Sequence, residues 1–293
     1  MTINEGPGRA KLIVGCGYLG QRIARRWHAQ GDSVWAMTRS EERAREFERA
    51  GWRPIVADVL DTASLAQVPP VATVVYAVGY DRRSNRSIEE MYVAGLGNVL
   101  AALDERVQRV IYVSSTGVYG GAGGAWVDEE TPCEPERAGG RACLAAERLL
   151  AESRWHARSV VLRMAGIYGP ARLPRSAEIV RGEPIPAPAQ GALNLIHVED
   201  GARVVLAAEE RAPVPRLYCV SDGQAAGRHA YYEELARLLG APPPVFVEPP
   251  PESPVAERAA SDKRVGNARM IRELGVRLEF PSFREGLAQS VQG

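Results

Sequence analysis

The sequence predicts an α/β fold: a doubly wound parallel sheet with a smaller C-terminal lobe. Three observations predict it. Apolar strand-like runs alternate with helical patterns through the first half, a glycine-rich loop joins the first such pair, and after residue 170 the chain turns rich in proline and arginine. Strands that alternate with helices are joined by right-handed crossovers and lie parallel. Ligands of such sheets sit beyond the carboxyl ends of the strands, so functional residues are expected in the loops there.

Each element follows from a local pattern. KLIVG (11–15) is the first strand, and in the helix that follows Leu19, Ile23 and Trp27 share one face, with Gly31 as the stop. SVWAM (33–37) is the second strand. Thr38-Arg39-Ser40-Glu41 fits a capping box for a helix over 41–50, closed by Gly51. RPIVAD (53–58) precedes a short helix opened by Asp61. VATVVYAV (71–78) is continuously apolar, as a strand buried on both faces should be. A helix over about 88–104, RVIYVSS (109–115), a helix over 141–152 and SVVLRM (159–164) complete the alternation.

Further on, residues 194–210 predict a strand and helix returning to the main body. PPPVFVEPPPESP (242–254) reads as a stiff connector, and Asn267 and Gly275 as the caps of a helix between them. The expected organisation is a disordered tail over 1–9, a sheet domain over 10–170 and a smaller substrate lobe over 171–293, of which 193–220 returns to the sheet. There is no internal repeat.

Composition narrows the function. Zero formal net charge excludes the broad basic field of a nucleic-acid binder. No apolar run reaches the ~20 residues that span a bilayer, and the start MTINEGPGR lacks the basic and apolar regions of a signal peptide. Cys16, Cys133, Cys143 and Cys219 are scattered without metal-ligand spacing, so no metal is expected and the cytoplasm is the expected compartment. Lys11 and Lys263 are the only lysines in the chain, which leaves few amines for catalysis.

Gly15, Gly17 and Gly20 stand at GxGxxG spacing between the first strand and the first helix. That is the Rossmann-type fingerprint: a tight turn, a close backbone approach to a pyrophosphate, and tight helix–strand packing, with Tyr18 and Leu19 leading into the helix mouth. The free amides and partial positive charge of a helix N-terminus suit phosphate. At the end of the second strand, Arg39 and Ser40 suit the 2′-phosphate of NADP, while Glu41 leaves the acidic residue that NAD sites use. NADP is the expected cofactor, with NAD the alternative.

Several segments together resemble the extended short-chain dehydrogenase/reductase superfamily, the NAD-dependent epimerase/dehydratase group. They are the glycine loop, VADVLD (56–61), YVSSTGVYG (112–120), LRMAGIYGP (162–170), NLIHVED (194–200) and ELGVRLEFPSFREGL (273–287). The resemblance implies that Asp58 and Val59 border the adenine, and that Ala77, Val78 and Gly79 border the ribose and nicotinamide. It places His197 to Asp200 near the substrate side, a position that a purely structural histidine would fill equally well.

The family's chemistry uses a serine, a tyrosine, a lysine four residues later and an asparagine. Ser115 matches the serine. Gly139 falls at the tyrosine, Cys143 at the lysine and Tyr92 at the asparagine, and no tyrosine in the chain has a lysine four places on. The pattern is similar to an atypical subgroup that keeps the fold and the cofactor loop. Tyr92 is then the leading substitute acid/base, with Tyr119 and Tyr168 as alternatives and Arg141 or Arg163 as the source of positive charge. Arg82, Arg83 and Arg172 form a local cationic excess that suits an anionic substrate, nucleotide-sugar or sugar-derived. Two functions stay open: an NADP(H)-dependent oxidoreductase or epimerase/dehydratase, and a non-catalytic module that senses the cofactor. The expected partner is a small anionic molecule, without nucleic acid or membrane. Related folds dimerise through the helices nearest 88–104 and 141–152, though neither shows a decisive apolar stripe.

Overall fold

The computed structural model describes residues 9–81, 84–251, 253, 255–257 and 261–292. The tail over 1–8, Arg82 and Arg83 lie outside the described residues. The first half alternates as its patterns dictate. Strand β1 (Ala10–Val14) leads to α1 (Gly20–Ala29), β2 (Ser33–Thr38) to α2 (Glu41–Arg49), and β3 (Arg53–Val56) to a short 3-10 turn, Ser64–Gln67. Then come β4 (Thr73–Tyr76), a π-helical turn (Glu90–Ala94) running into α3 (Gly95–Ala102), β5 (Arg109–Ser115), β6 (Trp126–Val127), α4 (Ala138–Glu152) and β7 (Ser159–Met164).

The second half is built from shorter pieces: β8 (Gly166–Tyr168), α5 (Ser176–Val180), β9 (Ile185–Pro186), β10 (Ala192–Leu193) and β11 (Leu195–His197). They are followed by α6 (Val198–Arg211), β12 (Arg216–Val220), β13 (Ala226–Gly227), α7 (Arg228–Leu239), β14 (Phe246–Val247), β15 (Arg264–Val265), α8 (Ala268–Leu274) and α9 (Phe283–Gln292).

One seven-stranded sheet runs in the order β12-β7-β5-β4-β1-β2-β3, with β1 parallel to both β2 and β4. Strand order therefore reverses beside β1, where an open α/β sheet leaves a crevice at its carboxyl edge. The two faces of β1 bury different partners. Leu12 and Val14 join one core with Leu96, Val99 and Leu100 of α3 and Ala146 and Leu150 of α4. On the other side Ile13 lies under Gly20 of α1, and Lys11 pairs with Glu209 of α6, which also accepts from Trp27 Nε1 at 2.7 Å. Lys11 is thereby committed to structure.

The chain divides into two compact units. Unit 1 comprises residues up to 115, 138–163 and 202–218, and unit 2 comprises 116–137, 164–201 and 219–293. The sequence expectation drew one boundary at 170 and a return over 193–220. Pairing explains the difference. The excursion 116–137 carries β6, which pairs with β15, and β11 pairs with β8 in a two-stranded sheet of unit 2. The strand that enters the main sheet is β12. The core of unit 2 gathers Tyr168, Leu195, Tyr231, Leu235, Phe283 and Leu287.

Several caps also differ from expectation. Ser40, not Thr38, caps α2, its Oγ accepting from the Arg43 amide at 3.3 Å. Asn267 flanks α8 but spends its side chain on the Ser221 carbonyl, 2.9 Å away. Gly275 ends α8 in the left-handed region at φ 59°, as expected. The predicted connector over 242–254 includes β14, which pairs with β9. A reciprocal Ser87/Glu90 pair opens the helix that the sequence placed at 88: the Ser87 amide donates to Glu90 Oε2 and the Glu90 amide to Ser87 Oγ.

Candidate functional site

In unit 1 the glycine loop has the geometry its spacing predicts. Gly15 sits at φ +85°, and a Cβ there would lie 2.6 Å from the Val78 nitrogen and 2.7 Å from the Ala77 carbonyl oxygen. The turn is thus pressed against the end of β4, and Gly15 is brought together with Ala77 and Val78. A Cβ on Gly20 would meet the Gly15 carbonyl at 2.8 Å, so it is the helix–strand packing glycine. Gly17 differs: its nearest neighbour would be 4.0 Å away, which leaves the backbone open to an incoming group. No side chain caps α1 and no acid stands in its first turn. A helix mouth kept free of negative charge fits a diphosphate. Tyr18 is held beneath Arg22, whose guanidinium lies 4.2 Å from its ring and donates to its carbonyl at 2.8 Å.

At the end of β2, Arg39 is exposed and Ser40 is half-buried. The structure adds a residue that sequence reasoning missed. Arg43 donates to the Cys16 carbonyl at 2.6 Å and packs over Phe47, so a second cation stands on the glycine loop. Cys16 itself is buried, and burial pushes its thiol up to about 12 against the pull of Arg43 and Arg25.

Asp58 caps its own turn, accepting from the Leu60 amide at 2.9 Å, while buried Val59 is tied to α3 by Asn98, whose Nδ2 donates to the Val59 carbonyl at 3.0 Å. Gly79 is exposed, with open space where a Cβ would stand. Ser115 ends β5, half-buried. Its neighbour Ser114 points the other way, donating to Glu147 Oε1 at 2.5 Å. Glu147 also takes a two-pronged contact from Arg163, with Nη2 to Oε2 at 2.7 Å and Nε to Oε1 at 3.1 Å. Arg163 is therefore spent on a buried ion pair and is not the free positive charge the sequence reading considered.

Tyr92 is half-buried in the π-helical turn. Burial, then the nearby Cys143, raises its phenol above the ordinary range, and a hydrogen bond from the Tyr80 amide offsets part of this. Cys143 is buried and shares a hydrogen bond with Tyr112. The four cysteines are free thiols.

In unit 2, Arg172 is exposed within a tight turn, its amide donating to the Gly169 carbonyl at 2.9 Å. The His197–Asp200 segment is structural. His197 is wholly buried, with Nδ1 accepting from the Glu199 amide and Nε2 facing Ser290 Oγ at 3.3 Å. Asp200 is wholly buried and accepts from the amides of Glu279 and Phe280 at 2.9 and 2.8 Å. Tyr119 donates to the Asp128 carbonyl at 2.6 Å, and Tyr168 abuts Gly286, where any Cβ would overlap its hydroxyl. Lys263 is buried with three oxygen partners: the carbonyls of Tyr119 (3.1 Å) and Gly120 (3.4 Å) and Ser261 Oγ (2.7 Å). Burial, then Arg137, lowers its ammonium to about 8 against the opposing Glu136.

Asp222 gives a pH-dependent prediction. Its Oδ1 accepts from the Gln224 amide at 2.9 Å, whereas buried Oδ2 has no hydrogen-bond partner among the described residues. Burial, with Asp200 and Glu285 near, pushes the carboxyl from 3.8 up to about 6. A carboxyl with a raised folded pKa supports the fold while protonated, and that support fades as pH climbs from about 4 to about 6. Asp222→Asn removes the charge and keeps the acceptor. It should gain about 2–3 kcal/mol on the wild type at pH 7.5 and nothing at pH 4 in urea titrations; a difference that ignores pH would refute this.

A glycine loop at the strand-order reversal and a helix mouth free of acids define a dinucleotide-binding α/β protein. The chain belongs to the NAD dependent epimerase/dehydratase family, whose model matches residues 12–221. It is 29% identical over 282 residues to Protein YeeZ of Escherichia coli K12, covering 92% of this chain and 95% of that one. It is 31% identical over 246 residues to the 4-hydroxy-2-methyl-3-oxo-4-farnesyl-3,4-dihydroquinoline-1-oxide ketoreductase of Stigmatella aurantiaca, covering 79% and 73%. A solved structure of a functionally unknown conserved protein from Silicibacter pomeroyi DSS is 30% identical, with a TM-score of 0.78 over 97% of this chain and 98% of that one. A nicotinamide cofactor and oxidoreductase-like chemistry follow at the level of the family. No helix among the described residues is long and apolar enough to cross a membrane.

Proposed function

We propose that the protein is an NADP(H)-dependent oxidoreductase or epimerase/dehydratase acting on a small anionic, sugar-derived substrate, with Ser115 and Tyr92 at the reacting group. The observation that carries this reading is the open approach at Gly17 beneath an uncapped α1, with Arg43 held on the glycine loop and Arg39 exposed at the end of β2. Those guanidiniums suit a 2′-phosphate, and Glu41 at the start of α2 is the group that would favour NAD instead.

Bound cofactor supplies a hydride donor or acceptor at its nicotinamide. Ser115 offers a hydroxyl at the end of β5 to orient a substrate oxygen. Tyr92 keeps its proton at neutral pH, because burial disfavours the phenolate. A protonated phenol is a donor, so the reading favours carbonyl reduction, in which the nascent alkoxide takes the proton. The ketoreductase among the relatives is consistent with that direction. Arg82 and Arg83, by sequence, are the proposed anion contacts. A cofactor-sensing module without turnover is the second reading, favoured by the absence of a tyrosine–lysine pair.

Two measurements test this. Thermal shifts at matched concentration should be larger for NADP than for NAD, and Arg39→Ala with Arg43→Ala should equalise them. Equal shifts in the wild type would remove the NADP assignment. NADPH oxidation with a panel of phosphorylated and nucleotide-linked keto sugars should find turnover that falls about 100-fold or more in Tyr92→Phe. Binding of NADPH with no turnover across the panel selects the sensing module.

A further inference from the structure

Tyr76 closes β4 with its side chain wholly enclosed, and its hydroxyl donates to the carbonyl of Met91 at 2.7 Å. In an α-helix that carbonyl would receive the amide of the residue four positions on, which is Gly95. Here the Gly95 amide reaches back to Glu90 instead, five residues away, and Glu90–Ala94 forms the π-helical turn. The tyrosine hydroxyl thus replaces the donor that the helix withdraws, and no carbonyl is left unsatisfied. Gly95 makes the approach feasible: a Cβ there would stand 2.8 Å from the Tyr76 hydroxyl and 2.8 Å from Val59 Cγ2.

One extra residue in a turn rotates the residues before it by about 100° relative to α-helical register. Tyr92 lies at the middle of that turn, with its phenol at the Tyr80 amide, just beyond the end of β4. We propose that Tyr76 is a positioning residue: its hydroxyl holds the π-helical turn open and thereby aims Tyr92 at the carboxyl end of β4. The functional weight of this rests on the reading of Tyr92 as proton donor; the structural claim stands apart from it. Gly95 is the second half of the device, since only glycine lets the turn close on the hydroxyl.

Tyr76→Phe removes one oxygen and nothing else. The Gly95 amide should then return to the Met91 carbonyl, seen in a crystal structure of the variant, and Tyr92 should swing out of its buried setting. Its titration, followed by carbon-13 tyrosine NMR with Tyr92→Phe to assign the signal, should move back towards the ordinary phenol range. Gly95→Ala pushes the hydroxyl off Met91 and should produce the same change, so the claim is tested even if Tyr76→Phe folds poorly. A π-helical turn retained in Tyr76→Phe, with Tyr92 titrating as in the wild type, overturns the proposal. The two claims separate cleanly. If Tyr76→Phe moves the titration but Tyr92→Phe keeps full turnover, positioning holds and the proton-donor role fails. If Tyr92→Phe abolishes turnover while Tyr76→Phe leaves turnover and titration unchanged, the positioning claim alone fails.

Discussion

Gly17→Ala should weaken dinucleotide binding while leaving the protein as stable as before, whereas Gly15→Ala should lose binding and stability alike. The two glycines are two residues apart and look alike in the sequence. Their surroundings do not. At Gly15 the added methyl would stand 2.6 Å from the main-chain nitrogen of Val78, just past the end of β4, in a backbone at φ +85°. Backbone cannot step aside as a side chain can, so the cost combines left-handed strain of about 1–2 kcal/mol with overpacking of about 1–3 kcal/mol. A melting temperature lower by roughly 5–10 °C should follow. At Gly17 the methyl enters open space, 4.0 Å from its nearest neighbour, so the melting temperature should stay within about 2 °C. Its only cost is to the group that has to approach. Calorimetric titration with NADP should show affinity reduced at least about tenfold. A Gly17→Ala variant that binds NADP normally would mean that the cofactor does not approach the backbone there.

The second large effect lies below Ser115. Glu147 and Arg163 are each under a tenth exposed and face one another with two short contacts, and Ser114 takes one of the carboxylate lone pairs. Removing one partner strands the other charge in the core, which costs about 3–5 kcal/mol. Glu147→Leu and Arg163→Met should each destabilise by that order in urea titrations. The double variant should recover most of the loss, because a well-packed apolar pair carries no desolvation penalty. Single and double variants with additive losses would show that the pair is not coupled. High salt should change these values little, since buried charges are poorly screened.

The contrast between these sites explains what the sequence could and could not reveal. Gly15 and Gly20 were legible because a turn and a packing contact each demand glycine within six residues of chain. The sheet strands were legible for the same local reason: β4 is buried at every position because both its faces are covered, and only Thr73 interrupts its apolar run. Arg43 was not, because its partner carbonyl belongs to Cys16, 27 residues earlier, and nothing in EERAREFER distinguishes it from the other arginines. The capping of α2 shows a finer limit. Thr38 and Ser40 are both good caps, and where β2 ends decides between them. His197 to Asp200 matched a family segment that a structural histidine would fill equally well, and the ring is enclosed and bonded within the fold, an outcome that depends on α9, almost a hundred residues away. The π-helical turn could not be read from periodicity at all, because its cause is a hydroxyl on another element.

The division into two units that interleave along the chain has a consequence for how the molecule is made. The polypeptide passes from one unit to the other five times, and the stretch 219–293 supplies α7, α8 and α9 together with β15, the partner of β6. During synthesis, every strand of the parallel sheet is available once residue 220 has emerged. The loop at 116–127, by contrast, waits for its partner until Arg264 and Val265 leave the ribosome. Until then Trp126, Val127 and the carbonyls that Lys263 will grip have nothing to pair with. Ribosome-bound chains halted just before Arg264, long enough for residue 220 to have cleared the exit tunnel, should therefore resist protease over the sheet and be cut in the segment that directly follows Ser115.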